Sequence, residues 1–347
     1  MFGNNPVPLR SWKLVVFAIM SFLFISPVSA KELLDVPVGV SPVMSSAGIY
    51  IAQAKGYFTE QGLAVKLNPF KASGAKMTPF LATGQLFVAG GNVTAGLYNA
   101  NANDIPIKIV ADKGLVSPKH GYLALLVRKD LIESGRYKDY KDLKGMTMAV
   151  TAKGVSQEIA TELFLHKGKL ALHDIKLVTL AYADMNIAFA NKSLDAAVQI
   201  EPFVTAALDN NWATRIAGSD EVYPNQQSAV ILYSPVFIEK YPEQARAFMV
   251  AYIKGVRDYN DAFEKGKNKD DIIRILNDAT ETKDPDLYRR VVPAGLHPDG
   301  KLNVQSLKDD ARWFFQHDYF KEMPDVDAII DESFIDAAIK ILGPYQP

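Results

Sequence analysis

Short apolar runs alternate with segments of helical spacing from Asp35 to Gly114. "DVPVGV", "LAVKLNPF", "LFVAGG" and "IKIVADKG" read as strands, and "AGIYIAQAKGYF", "KMTPFLATG" and "TAGLYNA" between them read as helices. Alternation of this kind specifies an α/β lobe with a largely parallel sheet. "GYLALLVRKD" (121–130) is a further strand and "RYKDYKDLKG" a polar connection. A second series then follows as "MTMAV", "SQEIATELFLHKG", "DIKLVTLAY", "DMNIAFANK", "LDAAVQIEP" and "FVTAALDNN".

The two series match in register. "FLATGQLFVAGG" and "AFANKSLDAAVQ" superimpose at an offset of 108, with Leu81 on Phe189, Leu86 on Leu194 and Ala89 on Ala197, which predicts two related lobes. After "SAVILYS" (228–234) the pattern becomes helical. Phe248, Tyr252, Val256 and Tyr259 recur three or four apart as a buried stripe, and the final helix stops at Gly343 with Pro344 behind it. A chain that builds one lobe, crosses to a second and returns needs two crossings. "GYLALLVRKD" and "SAVILYS" are the candidates, and lying side by side they would form a hinge beneath a cleft. The expected division is residues 31–121 with 229–347 in one lobe and 122–228 in the other.

In such sheets ligands bind beyond the carboxyl ends of the strands. The loops there share a chemistry: "SPVMSS", "KASGAK" and "GGNVT" in the first series and "TAKGVSQE" in the second place Ser, Thr and Asn beside Gly. The candidate ligand residues are Met44, Ser45, Ser46, Tyr50, Ser73, Gly74, Asn92, Thr94, Lys113, Gly154, Val155, Ser156, Met185, Glu201 and Phe203. Each has a second reading. Ser45 or Ser46, and Ser156, are positioned to cap the helices they precede. Glu201 suits a ligand donor or its own helix N-terminus. Met44, Tyr50, Tyr182, Met185 and Phe203 line an apolar wall or belong to the core, and Lys113 neutralises an anion or is solvated. Two opposed helix N-termini, each worth about 0.3–1 kcal/mol toward a nearby charge, would favour an anionic or strongly polar ligand.

Composition narrows the function. The chain has 347 residues, 48% hydrophobic and 22% charged, with a formal net charge of −1 and no basic block, which excludes a nucleic-acid partner. Arg10 and Lys13 precede the apolar run 14–25 and "SPVSA", the pattern of a secretory signal cleaved after Ala30. Residues 1–30 are therefore a signal segment, and removing them leaves 36 basic and 39 acidic residues. Cysteine is absent, which excludes disulfides, thiolate metal sites, cysteine nucleophiles and a lipidated N-terminal cysteine. The expected location is the periplasm, free in solution and monomeric. No G-x-G-x-x-G, G-x-S-x-G, Walker or H-E-x-x-H pattern occurs, and the five histidines lack metal-ligand spacing. No catalytic residue, metal or cofactor is expected.

"AGIYIAQAKGYFTEQGLAV", "LATGQLFVAGG", "YLALLVRKDLIESGRYKDYKDLKG", "IEPF" and "MVAYIKGVRDYNDAF" together resemble the nitrate/sulfonate/taurine-type (NitT/TauT) periplasmic solute-binding proteins of ABC transporters. The resemblance spans essentially the whole chain after residue 30. It implies a type II periplasmic-binding-protein fold, with two α/β lobes joined by two hinge strands and a helical C-terminal cap. It implies a small-molecule ligand held between the lobes, delivery to a permease in the inner membrane, and no chemistry on the ligand. The expected ligand is a small polar organic molecule, sulfonate- or taurine-like or another organic anion. The alternatives are a heterocycle such as a thiamine-pyrimidine precursor, since such binders share the "AGxYxA" stretch, and a sensor role without transport. A related pyrimidine synthase is disfavoured, because it relies on a cysteine-rich segment. One position departs from the family: Phe87 stands where Asp is common, whereas its counterpart in the second series is Asp195.

Overall fold

A computed structural model describes residues 1–6, 33–71, 74–280 and 282–346. Most of the expected signal segment, its cleavage site included, and Ser73 lie outside the described residues. Residues 1–6 carry no regular structure, and Leu33–Pro347 forms a single unit by contact. Among the described residues no helix is long and apolar enough to cross a membrane.

Ten strands form two sheets. The first combines β1 (Leu34–Val40), β2 (Leu63–Pro69), β3 (Val88–Asn92), β4 (Lys108–Val116) and, from much later in the chain, β10 (Gln226–Tyr233). The second combines β5 (Leu123–Arg128), β6 (Thr147–Val150), β7 (Lys176–Thr179), β8 (Ala196–Ile200) and β9 (Ala213–Gly218). Their orders, β2-β1-β3-β10-β4 and β7-β6-β8-β5-β9, are the same pattern. The offset of 108 holds for the third strand, since β3 and β8 occupy residues 88–92 and 196–200.

The two crossing segments do not pair with each other. Each enters a sheet as its antiparallel strand: β10 lies between β3 and β4, and β5 between β8 and β9. Both are buried at every residue, so their backbone groups need partners on both edges, and only a place inside a sheet supplies them. The sheets are therefore mixed rather than parallel throughout. The expected boundary at 228/229 falls inside β10, which pairs with β4 from Gln226 onward.

The C-terminal helices cover the first sheet. In the 24-residue helix Pro242–Lys265, Phe248, Tyr252, Val256 and Tyr259 are all buried, as the sequence spacing predicts. This helix crosses Ala47–Ala54 at two glycines. A Cβ on Gly255 would stand 2.2 Å from the Gly48 carbonyl oxygen, and one on Gly48 would stand 2.6 Å from Val256. The glycine of "AGIY" thus serves helix packing. The contact fixes the loop between β1 and helix Ala47–Ala54, which carries the first candidate residues.

Candidate functional site

The loops at the carboxyl ends of the strands meet between the sheets. After β1, the Met44 amide donates to the Glu201 carbonyl beyond β8, at 3.1 Å. After β3, Thr94 and Val155 form an antiparallel bridge, flanked by Ser156 N–H to Val93 O at 3.0 Å and Ala95 N–H to Gly154 O at 2.8 Å. The Ser156 hydroxyl adds a bond to the Ser228 carbonyl at 2.7 Å. The rim is closed by side chains. Glu158 accepts from Tyr319 at 2.8 Å and from the Gly154 amide at 2.6 Å, and Glu162 accepts from the Trp313 indole at 2.6 Å and faces His317 Nε2. Trp313 stacks on His317 with ring centroids 3.8 Å apart.

Inside this ring is a cavity with room for about one water, ≈ 10 Å³. Ser41, Val43 and Ser45 reach it from the loop after β1, Asn92 from the end of β3, and Lys113, Ser228 and Ala229 from β4 and β10. The second sheet contributes Leu123 and Ile200, the crossing before it Tyr122, and the helix Tyr182–Ala190 its first residue. Two register shifts between β4 and β10 aim the polar pair. Residue 227 pairs with 115, 229 with 114 and 230 with 112, so Ser228 and Lys113 are both passed over in the ladder. An unpaired extra residue re-aims its side chain, as bulges beside sites commonly do. Gly114 lies between them, and a Cβ there would stand 2.4 Å from the Tyr122 hydroxyl, which bonds Ser228 Oγ at 2.5 Å.

Lys113 dominates the electrostatics. It is 2% exposed, its Nζ donates to Ser45 Oγ at 2.9 Å, and no carboxylate lies within 4 Å among the described residues. Burial drags its pKa down to about 7, against the upward pull of Asp112. Asp112 points to the opposite side of β4, where it accepts from Gln227 at 2.5 Å, the Gly114 amide at 2.8 Å and the His297 amide at 2.7 Å. Burial raises its carboxyl to about 6 despite these bonds. Tyr182 is 3% exposed, and its hydroxyl lies beside Asn92 and Thr151 without a well-formed hydrogen bond.

Of the residues read from the sequence, Ser45, Asn92, Lys113 and, from the expected apolar wall, Tyr182 line this cavity. Others position them: Ser46 and Tyr50 both donate to the Ser41 carbonyl, at 2.7 and 3.2 Å, and the Gly74 amide donates to Asn92 Oδ1 at 3.4 Å. Met44, Gly154, Val155 and Ser156 join the sheets through the bonds given above. Met185 is fully buried, and Phe203 stacks on Tyr182 at 6.3 Å. Glu201 is engaged elsewhere: its carboxylate, raised by burial, accepts from the Thr205 amide and hydroxyl, both at 3.0 Å, and from the Val292 amide at 3.1 Å. The capping expectation is corrected for the serines. Ser46 stands at the N-cap of Ala47–Ala54 and Ser156 opens its own helix, but neither they nor Ser45 makes a side-chain capping bond, because all three hydroxyls serve other bonds. Thr94 does cap Ala95–Ala102, accepting from Leu97 N–H at 3.1 Å. Tyr122, at the end of the first crossing, and Ser228, near the start of β10, are absent from the candidate set. Their only sequence signal is a polar atom at the start of an apolar strand.

Comparison with known proteins places this geometry. The family model described as "NMT1/THI5 like" matches residues 44–263. YtlA of Bacillus subtilis (strain 168), whose name describes a candidate binding protein, is 24% identical over 264 residues, covering 74% of this chain and 75% of that protein. Among solved structures, the ligand-binding component of an ABC-type import system from Staphylococcus aureus, with zinc bound, superimposes with a TM-score of 0.74 at 14% identity. The match covers 88% of this chain and 99% of that one. The alkanesulfonate-binding protein SsuA from Xanthomonas axonopodis pv. citri, bound to MOPS, gives a TM-score of 0.71 at 18% identity, covering 87% and 99%. These likenesses establish the bilobal periplasmic-binding-protein fold expected from the sequence.

Proposed function

We propose, from the premise that this chain belongs to the NMT1/THI5-like family, that it is the solute-binding component of an ABC-type importer. It captures a small polar organic anion between its two sheets and hands it to a membrane permease. The observation that carries the reading is Lys113: a buried side-chain nitrogen in the interlobe cavity, bonded to one serine hydroxyl and beside an unpartnered tyrosine hydroxyl. The charged end of an anion, admitted as the lobes part to enlarge this one-water cavity, would satisfy both groups. The alkanesulfonate ligand class of a structural neighbour supports the same chemistry. The secretory pattern in residues 1–30 supports a periplasmic location, and we read the protein as a monomer that binds its ligand without altering it.

The chain passes between the sheets at residues 117–122 and again at 219–225, and we assign the hinge to these two segments. A ligand that touches both sheets shifts the open–closed equilibrium by its differential affinity for the two states. A thermal-shift screen of sulfonates, carboxylates and heterocycles, followed by small-angle scattering, tests the proposal. Anions should raise the melting temperature and reduce the radius of gyration. Stabilisation by neutral apolar compounds alone, or binding without compaction, would count against it. A second reading, capture of a heterocycle, is favoured by the rings of Tyr122 and Tyr182 in the cavity wall, and the same screen separates the two.

A further inference from the structure

Lys113 makes an unusual counterpart for an anion, because the fold gives it no charge of its own to rest against. Its stem is clamped: a Cβ on Gly90 would stand 3.0 Å from Lys113 Cε. Its nitrogen reaches Ser45 Oγ, an acceptor that serves a neutral amine as well as an ammonium. Asp112 is turned away by the strand and is bound by three donors of its own. The other titratable groups around it are Tyr122 from the first crossing, Tyr182 from the helix Tyr182–Ala190 and Tyr252 from Pro242–Lys265. Burial holds all three in their protonated, uncharged form.

We propose that Lys113 selects for negative charge by proton uptake: above neutral pH the resting side chain is an amine, and an anionic ligand enters with a proton drawn from solvent, which converts the amine to an ammonium paired with that anion. The inference rests on the anion reading of the cavity given above. The downward shift to about 7 agrees with it, since an uncompensated ammonium is disfavoured by burial and becomes favourable once an anion joins it. Charge selection of this type rejects a neutral isostere, which brings no compensation for the proton.

The test uses the purified protein with ethanesulfonate and its neutral counterpart ethyl methyl sulfone. Calorimetric titrations run in buffers of different ionisation enthalpy count the protons. The expected result is close to one proton taken up per ethanesulfonate bound at about pH 8.5, falling toward none near pH 5.5. The dissociation constant should rise about tenfold per pH unit above roughly pH 8. Lys113→Arg, permanently charged, should bind ethanesulfonate without proton uptake, and Lys113→Met should lose the anion while melting within a few degrees of the wild type. Ethanesulfonate binding with no dependence on buffer identity at about pH 8.5 overturns proton uptake but leaves the anion site standing. Binding of the sulfone in place of the sulfonate overturns both. If neither compound binds, nuclear magnetic resonance of the 13C-lysine-labelled protein decides. The signal missing from Lys113→Met should titrate near neutrality, and titration at the ordinary lysine value of about 10.4 overturns the proposal.

Discussion

Asp112 and Lys113 show how much a strand's two faces separate neighbours in the chain. The carboxylate is locked by Gln227, Gly114 and His297, while the amine, one residue on, opens into the cavity. A third buried ionisable group, Asp310, has only neutral partners: Tyr223 donates to it at 2.8 Å and Gln226 approaches at 3.5 Å. Burial raises it from 3.8 to about 8, so between these values the folded state holds a proton that the unfolded chain releases. Stability therefore falls as pH rises from about 4 to about 8 and levels off above. Asp310→Asn keeps the shape and the acceptor without the titration. The variant should match the wild type near pH 5 and outlast it near pH 9 in thermal melts, and equal pH slopes would refute the assignment. Asn92 and Ser45 were legible in the sequence because they end a strand or sit in the loop after one, and Lys113 because it follows the apolar run Ile107–Ala111, although β4 continues past it to Val116. Ser228 was not, since its place in the cavity depends on a double register shift between strands more than a hundred residues apart in the chain, and Tyr122 was not, since it is drawn there by its bond to Ser228.

Most elements follow from local pattern, and the exceptions have physical causes. β9, Ala213–Gly218, lacks an apolar run because it is an edge strand, with Thr214, Arg215 and Ile216 only partly buried. Helix caps were misjudged where the serine hydroxyls serve other bonds. The departure at Phe87 is resolved by packing. Asp195 accepts the Thr147 amide and pairs with Arg128 at 3.1 Å, whereas Phe87 stacks on Phe237 at 5.3 Å and on Tyr241 at 5.4 Å. Aromatic stacking in the first lobe occupies the place of an ion pair in the second. The crossing of Ala47–Ala54 over Pro242–Lys265 is the least forgiving contact of this scale. Gly255→Ala drives a methyl into backbone, which cannot rotate aside, and should cost about 2 kcal/mol or more in chemical denaturation. A loss under about 0.5 kcal/mol would show that the helices slide freely.

For the molecule as a whole, the contacts across the rim are as telling as the cavity. Glu158 and Glu162 project from the second lobe onto Tyr319, Trp313 and His317, outside the cavity lined by Lys113. Bonds made only in the closed state raise ligand affinity by favouring closure. Trp313→Phe removes the indole donor to Glu162, and a hydrogen bond to a charged group is worth about 1.5–3 kcal/mol. Ethanesulfonate affinity should fall roughly tenfold, with a larger radius of gyration in solution and an untouched cavity. Unchanged affinity would remove the rim from the closing mechanism. The inserted strand β10 has a further consequence, in the order of assembly. Until residues 226–233 are available, β3 and β4 have nothing between them, and the first sheet, though begun at residue 34, stays incomplete. The second sheet, drawn wholly from residues 123–218, is complete before β10 is reached, so the sheet begun first is the one finished last.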